Sequence, residues 1–163
     1  YLINRILTNI SSGISIEHPF IFKTKGEMIN ELTENYKLQI KNTNTCGRSR
    51  QSIEMKDKHC GVCVPCILRK ISISAFDNEK YDVNYEVEYN QKISESKSFA
   101  EEYKSTMEYF IYLKQQIDSN NIFTFLDINK KYYNNLEYLR HTKEMLIRFS
   151  GEIEKFLKKY PVI

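Results

Sequence analysis

The stretch His59-Cys60-Gly61-Val62-Cys63-Val64-Pro65-Cys66-Ile67-Leu68-Arg69, with Cys46 upstream, decides how the middle of this chain folds. It contains three of the chain's 4 cysteines, and Cys46 is the fourth. A tetrahedral zinc ion needs four ligands around one centre, and a Cys-x-x-Cys turn supplies two of them. The spacing therefore predicts that Cys46, Cys60, Cys63 and Cys66 bind one zinc ion.

Four cysteine ligands leave no open position for water or substrate, so the predicted zinc is structural rather than catalytic. Two disulfides, free thiols that merely cluster, or an iron–sulfur cluster are the alternatives for the same residues. His59 could replace a ligand, but with four cysteines available a solvated loop histidine is the simpler interpretation. Zinc-bound thiolates indicate a reducing compartment, and we expect the protein to be cytoplasmic.

Length and charge narrow the class of protein. The chain has 163 residues and a mass of 19.4 kDa, enough for one compact domain with an appendage. Its net charge of +3 excludes a highly basic protein of the kind that coats nucleic acids. Any affinity for polyanions must therefore come from a local patch. No apolar run is long enough to span a bilayer. Because residue 1 is Tyr rather than Met, we expect the sequence to begin inside a longer protein.

Two helix starts flank the cysteine region. Thr24-Lys25-Gly26-Glu27 fits a capping box and predicts a helix over about 25–36. The predicted buried face of that helix contains Met28, Ile29, Leu32 and Tyr36. Pro65 suits the first turn of a second helix, over about 65–76. We also predict a helix end, a turn and a short β segment over 1–23, and at most a short strand near 36–40.

The second half of the chain is predicted to be mainly helical. Tyrosine and valine alternate with polar residues over 81–89, which predicts a half-buried strand or an extended segment lying across other elements. Apolar residues at helical spacing over about 96–117 and 133–158, the latter including Leu136, predict two long helices that form an antiparallel hairpin.

Positive charge is concentrated around the cysteines. Between positions 46 and 70, six basic residues stand against two acidic ones, Glu54 and Asp57. Part of this excess compensates the charge of a zinc ion with four thiolates. The remainder could bind a phosphate or a carboxylate, or could simply be a solvated basic loop. The basic residues are Arg48, Arg50, Lys56, Lys58, Arg69 and Lys70.

These motifs, taken together, resemble a known family. His18-Pro-Phe-Ile-Phe-Lys-Thr-Lys-Gly-Glu27, then Asn44-Thr-Cys46, then the His59–Arg69 stretch resemble the C-terminal part of the 7-cyano-7-deazaguanine synthases, over roughly residues 1–80. The resemblance implies a mainly α fold with minor β. It would be the zinc-stapled C-terminal part of an α/β adenine-nucleotide α-hydrolase, or PP-loop ATP pyrophosphatase. Residues 81–93 would then be a linker or edge strand, and 94–163 a helical hairpin extension.

The same resemblance implies an activity. Such enzymes use ATP and Mg²⁺ to adenylate 7-carboxy-7-deazaguanine, then amidate it, in queuosine biosynthesis. Carried over by position, the four cysteines would hold zinc, Lys25 and Arg69 would bind phosphate or the substrate carboxylate, and Glu27 would cap a helix. Ordinary surface or zinc-compensating cations are an equally weighted interpretation of Lys25 and Arg69. No catalytic residue is identified.

Two departures from the family pattern limit this expectation. The Ser-Gly-Gly-x-Asp-Ser phosphate loop of the family is absent, and no two glycines are adjacent in the sequence. The chain alone is therefore not expected to form the adenylate, and we expect the loop upstream in the intact protein. The second departure is the tail, because the two long helices after Ser94 exceed what the compact biosynthetic enzyme needs. Such extended relatives of the family also occur in bacterial antiviral defence operons.

Two functions of other classes stay open. The chain could be a non-catalytic, zinc-stapled module that binds a protein partner through its C-terminal helices, in a modification or antiviral-defence complex. Direct contact with nucleic acid through the basic loop and the nearby tyrosines is the least favoured function.

Overall fold

The computed structural model describes residues 2–10, 13–14, 16–48, 59–89, 97–122 and 136–161. These ranges are mainly helical, as predicted, and the minor β structure is reduced to one parallel bridge between His59 and Tyr85. Two 3₁₀ turns, Ile40–Asn42 and Glu79–Tyr81, accompany the helices. The helices are α1 (Leu2–Ile10), α2 (Lys25–Asn30), α3 (Glu34–Lys37), α4 (Val64–Ser74), α5 (Lys97–Asp118) and α6 (Leu136–Lys159).

The capping box at the start of α2 is confirmed. The Glu27 amide donates to the Thr24 hydroxyl at 3.0 Å, and the Thr24 amide donates to the Glu27 carboxylate at 2.8 Å. The predicted continuous helix over 25–36 is wrong, because Thr33 adopts an extended conformation that ends one helix and begins another. Leu32 and Tyr36 are consequently 38% and 67% exposed, not buried.

The turns on either side of α2 replace two predicted β segments. Residues 18–23 form successive turns, in which the amides of Ile21 and Lys23 donate to the carbonyls of His18 and Phe20. Residues 36–40 belong to α3 and the turn after it, so the predicted short strand there is also wrong. In these turns, backbone amides and carbonyls three or four residues apart bond to each other. An isolated strand would have left the same groups without a partner.

Helix α4 lies at the centre of the fold. It begins at Val64 with Pro65 in its first turn, as predicted. Ile67 and Ile71 on this helix are fully buried. The helix contacts α2, α5 and α6, so it joins the first half of the chain to the second half.

Helices α5 and α6 pack against each other in opposite directions. Lys114 lies 3.7 Å from Glu154, while the Ser150 hydroxyl donates to Asp118 at 2.5 Å. The predicted start of α6 at 133 and the connection 123–135 lie outside the described residues, so the hairpin stays a prediction. Leu136, on the predicted apolar stripe, is 82% exposed. The apolar stripe of α5 is buried as predicted: Phe99, Tyr103, Met107, Phe110, Leu113 and Ile117.

Residues 82–89 form an irregular segment, bent at 82 and at 86–87, that crosses the cysteine-bearing turn. The Glu86 amide donates to the His59 carbonyl at 2.9 Å, and the Val87 amide donates to the Cys60 carbonyl at 3.2 Å. The predicted regular strand is therefore wrong, and the segment instead lies across another element, as in the second predicted form. Because this segment packs into the core, it belongs structurally with the cysteine region.

Helix α1 presents isoleucines to solvent. Ile3, Ile6 and Ile10 are 59%, 57% and 75% exposed. Across the ranges that the structure describes, no helix combines the length and the apolarity needed to cross a membrane.

The packing of α6 can be tested with two isoleucines of the same helix. Ile153 is 0% exposed, whereas Ile147 is 52% exposed. We expect Ile153→Ala to lower the free energy of unfolding by about 2–5 kcal/mol, because it leaves a cavity in the core. Ile147→Ala should change it by less than about 0.5 kcal/mol. Urea unfolding followed by circular dichroism measures both variants, and equal losses would contradict the described packing.

Candidate metal centre

The four cysteine sulfurs converge on one point. All four side chains are buried, and their sulfur atoms lie within 4.8 Å of one another. The Sγ atoms of Cys60 and Cys66 are 3.9 Å apart. Four sulfurs at 2.3 Å from a zinc ion form a tetrahedron with edges of about 3.8 Å. The cysteines are free thiols rather than disulfides, and they could hold a single metal ion.

Local backbone interactions position each cysteine. The Asn44 side-chain carbonyl accepts a bond from the Cys46 amide at 3.0 Å, which fixes the turn that carries Cys46. The Cys60 amide donates to the Cys46 sulfur at 3.4 Å. Cys63 is the N-cap of α4, and Cys66 lies in its first turn.

Gly61 is required by the tight turn between Cys60 and Cys63. Its φ is +80°, a conformation that favours glycine. A Cβ atom at this position would lie 2.2 Å from the Val87 carbonyl oxygen and 3.0 Å from the Lys70 Nζ. The turn therefore depends on the close approach of the segment that crosses it.

The thiols do not ionise independently. Hydrogen bonds from the thiols of Cys60 and Cys66 lower the pKa of Cys63 to about 3. The pKa of Cys66 is raised, first by its interactions with Cys60 and Cys63 and then by burial. A single thiolate is thus favoured, but four neighbouring thiolates repel one another unless a cation lies between them. Metal binding at this point would release the remaining protons.

Arg69 is buried and bonded to protein groups. Its side chain is 3% exposed, and its Nε donates to Asp82 at 2.7 Å. Its other nitrogens donate to the Thr43 hydroxyl at 2.6 Å, the Thr43 carbonyl at 3.1 Å and the Ile40 carbonyl at 2.8 Å. These bonds engage most of the guanidinium donors. Arg69 therefore ties α4 to the turn at 40–43 and to the crossing segment.

Asp82 receives two further hydrogen bonds on its second oxygen. The hydroxyls of Tyr85 and Tyr89 each donate to it at 2.7 Å. Burial, reinforced by the Asp82 charge, raises the pKa of both tyrosines. Sequence reasoning missed Asp82, because its alternation with tyrosines placed it on the solvent face of a strand.

Lys70 is a buried lysine beside the cysteine turn. It is 1% exposed, and its Nζ donates to the carbonyls of Gly61 at 3.0 Å and Val87 at 2.7 Å. Burial lowers its pKa to about 8, against the opposing effect of nearby anionic groups. Sequence reasoning counted Lys70 only as a basic loop residue, although its position four residues after Cys66 places both on one helix face.

The charge of Arg69 acts on Lys25, the other predicted anion-binding residue, and on His59. Lys25 is exposed at the start of α2, and partial burial of its side chain together with the Arg69 charge lowers its pKa. His59 is 5% exposed, so the solvated-histidine interpretation is wrong. Burial, and then the Arg69 charge, lowers the pKa of His59.

The basic loop is only partly described. Arg48 pairs with Glu102 and lies 4.9 Å from the centre of the Phe99 ring. The other basic residues of this stretch that the structure describes, Arg69 and Lys70, face inward. The remaining ones, Arg50, Lys56 and Lys58, lie outside the described residues.

Helix α6 covers the start of α2. The Arg148 Nε donates to Glu27 at 2.6 Å, and another Arg148 nitrogen donates to the Phe22 carbonyl at 2.6 Å. The Thr24 hydroxyl donates to the Glu152 carboxylate. That carboxylate packs so closely on Gly26 that a Cβ atom there would lie 2.7 Å from its Oε1. The C-terminal helix therefore packs directly on the Thr24–Glu27 motif, which no sequence pattern had indicated.

Glu152 is an ionisable group in a buried position. It is 5% exposed, and burial, with the Glu27 charge acting in the same direction, raises its pKa to about 7. The Thr24 hydroxyl and the cations Lys155 and Arg148 act in the opposite direction. Glu152 therefore stays mostly protonated below about pH 7 and ionises only above it.

Comparison with known families agrees with the site. Residues 3–80 match the model of the family described as Queuosine biosynthesis protein QueC. This part of the chain is QueC-like. The four cysteines lie within the matched residues and are consistent with the zinc-binding C-terminal part of QueC. The resemblance inferred from the motifs is confirmed over these residues. No curated protein and no solved structure matches the chain.

Gly61 and Gly47 provide a matched pair of substitutions in the QueC-like part. A Cβ at Gly61 collides with the Val87 carbonyl, whereas a Cβ at Gly47 meets nothing within 4 Å. We expect Gly61→Ala to weaken metal binding at least about tenfold, because the turn between two ligands must distort. Gly47→Ala should bind metal like the parent. Competition with a chromogenic chelator measures both, and equal affinities would contradict the described turn.

The pKa of Glu152 predicts a pH-dependent stability. Because its folded-state pKa of about 7 exceeds the ordinary 4.5, the stability it contributes is complete below pH 4.5 and is lost as pH rises to about 7. We expect Glu152→Gln, which stays neutral, to raise the free energy of unfolding by about 1–3 kcal/mol near pH 8 and to change it little near pH 5.

Urea unfolding at both pH values tests this prediction. Glu108 on α5 is the control, since its side chain is 64% exposed. Glu108→Gln should show no comparable difference between the two pH values. A Glu152→Gln effect that is the same at both would show that Glu152 does not titrate in this range.

Proposed function

We propose that residues 3–80 are the zinc-bearing portion of a QueC-like, ATP-dependent carbon–nitrogen ligase. The enzyme would adenylate the carboxylate of a 7-carboxy-7-deazaguanine-type substrate and then amidate it. One observation carries the proposal: four buried thiols lie within 4.8 Å of one another inside the segment that matches QueC.

The metal in this proposal is zinc, held by Cys46, Cys60, Cys63 and Cys66. The sulfur separations suit one tetrahedral ion, whereas an iron–sulfur cluster needs room for several metal ions and bridging sulfides. Zinc with four thiolates would supply structural cross-linking, because it has no vacant position for a substrate. The cysteines would thereby fix the start of α4, which carries Arg69.

Lys25 is the proposed phosphate or carboxylate ligand that best suits this geometry. It is exposed and belongs to the Thr24–Glu27 motif, and its pKa responds to the Arg69 charge. Arg69 would support the same anion through its positive charge, since its hydrogen bonds go to protein groups. ATP and Mg²⁺ would bind at a phosphate loop of the intact enzyme, because no two glycines are adjacent in these 163 residues. Such an enzyme would act in the cytoplasm.

A non-catalytic, protein-binding module is the second candidate function. Exposed apolar side chains on the two C-terminal helices favour it. Tyr109 and Tyr112 on α5 and Ile147 on α6 are 44%, 48% and 52% exposed. A partner protein in a modification or antiviral-defence complex would bind these helices.

Metal content is the first test. Elemental analysis should give one equivalent of zinc per chain. A thiol count under denaturing, non-reducing conditions should find all 4 cysteines as free thiols. Cys63→Ser should lower both the bound zinc and the thermal stability, because it removes a ligand. Val64→Ser is the control, since Val64 is the adjacent residue and is 45% exposed. Unchanged metal content in Cys63→Ser would contradict the zinc site.

Substrate chemistry is the second test, and it separates the two candidate functions. The naturally encoded protein that contains this chain is supplied with 7-carboxy-7-deazaguanine, ATP, Mg²⁺ and ammonia, and pyrophosphate is measured. A ligase releases pyrophosphate only when the carboxylate is present. Lys25→Ala should raise the KM at least about tenfold, while Lys41→Ala, at an exposed site, should not. Zinc binding without pyrophosphate release would favour the protein-binding module.

A further inference from the structure

We infer that Lys70 is a positioning residue for the metal centre, whose buried ammonium balances the charge of the thiolates and holds the Cys60–Cys63 turn closed. The inference rests on the proposed zinc site. It adds a residue outside the ligand set, one that provides the centre with charge rather than with a bond to the metal.

The geometry connects Lys70 to the turn from inside the fold. The Lys70 Nζ donates to the Gly61 carbonyl, between two cysteine ligands, and to the Val87 carbonyl of the crossing segment. The ammonium thus bridges the two backbones whose close approach requires glycine at position 61. Cys66, a ligand, lies one helical turn before Lys70 on α4.

Anionic groups from three parts of the chain face Lys70, and the thiol of Cys66 is the first of them. A buried ammonium is costly unless an anion lies nearby. Cys66, Glu88, Asp82 and Cys60 all stabilise its charged form, with Cys66 first. Asp82 already pairs with Arg69 and accepts from two tyrosines, while Glu88 is exposed to solvent. A zinc ion with four thiolates carries a net charge of about −2, which a buried cation near the thiolates would partly balance.

Two tyrosine rings keep the ammonium in place. The Nζ lies 4.5 Å from the centre of the Tyr85 ring and 5.2 Å from that of Tyr89. Both hydroxyls are fixed on Asp82, so the rings cannot turn away without breaking those bonds. Ring faces attract a cation and exclude water from it. The charge therefore faces the turn and not the solvent.

Zinc affinity of the full chain tests the inference. Lys70→Met keeps the length and apolar stem of the side chain but removes its charge, and we expect an affinity about 10–100-fold lower in competition with a chromogenic chelator. Lys104→Met is the control, because the Lys104 side chain is 76% exposed, and its affinity should be unchanged. Equal affinity of Lys70→Met and the parent would overturn the inference. A parent that binds no zinc would overturn the proposed zinc site itself.

A second variant separates charge from hydrogen bonding. Lys70→Gln retains amide donors without the charge, so we expect it to bind zinc as weakly as Lys70→Met. Parental affinity in Lys70→Gln would mean that the hydrogen bonds suffice, and the charge role would be overturned.

A measurement on the unmodified protein covers the case in which neither variant folds. Lysine-selective ¹⁵N NMR of the zinc-loaded chain should show a protonated, slowly exchanging Lys70 ammonium that responds to removal of zinc, while Lys104 does not respond. A neutral Lys70 amine in the loaded protein would contradict the inference.

Discussion

The buried ion pair between Arg69 and Asp82 is the interaction on which the candidate metal centre depends. Burying two charges is costly unless both are fully hydrogen-bonded. Here the guanidinium also bonds to the 40–43 turn, and the carboxylate also accepts from two tyrosines. One network of hydrogen bonds therefore joins α4, the 40–43 turn and the crossing segment. This network fixes the first residue of the segment that covers the cysteine turn.

Features set by short-range rules could be predicted from the sequence. The capping box at Thr24 and the helix start at Pro65 depend only on neighbouring residues, and the structure has both. The buried stripe of α5 follows from helical periodicity. The convergence of the four cysteines followed from the geometry that a tetrahedral ion imposes. The caps and the helical stripe depend on residues close in sequence. The cysteine cluster depends on the coordination geometry of one metal ion.

The remaining features depend on contacts between distant residues. Arg69 and Lys70 are charged, so their counts alone placed them in a basic loop. Yet both are buried, with Arg69 bonded to partners 13 and 29 positions away and Lys70 to partners 9 and 17 positions away. The packing of Glu152 on Thr24 joins residues 128 positions apart, and no pattern encodes it. The break after α2 arises from local turns that compete with helical periodicity. These outcomes are decided by tertiary packing, which a residue's own neighbours do not reveal.

The order of residues in the chain has a consequence for synthesis. The cysteines span positions 46–66, whereas the segment that crosses their turn and shields Lys70 follows only at 82–89, and α6 begins at Leu136. All four thiols therefore leave the ribosome before the residues that enclose them have emerged. During that interval the nascent chain presents a complete but uncovered set of sulfur ligands. The thiols can bind a metal ion or be oxidised until Tyr85 and Tyr89 emerge and pack against the site.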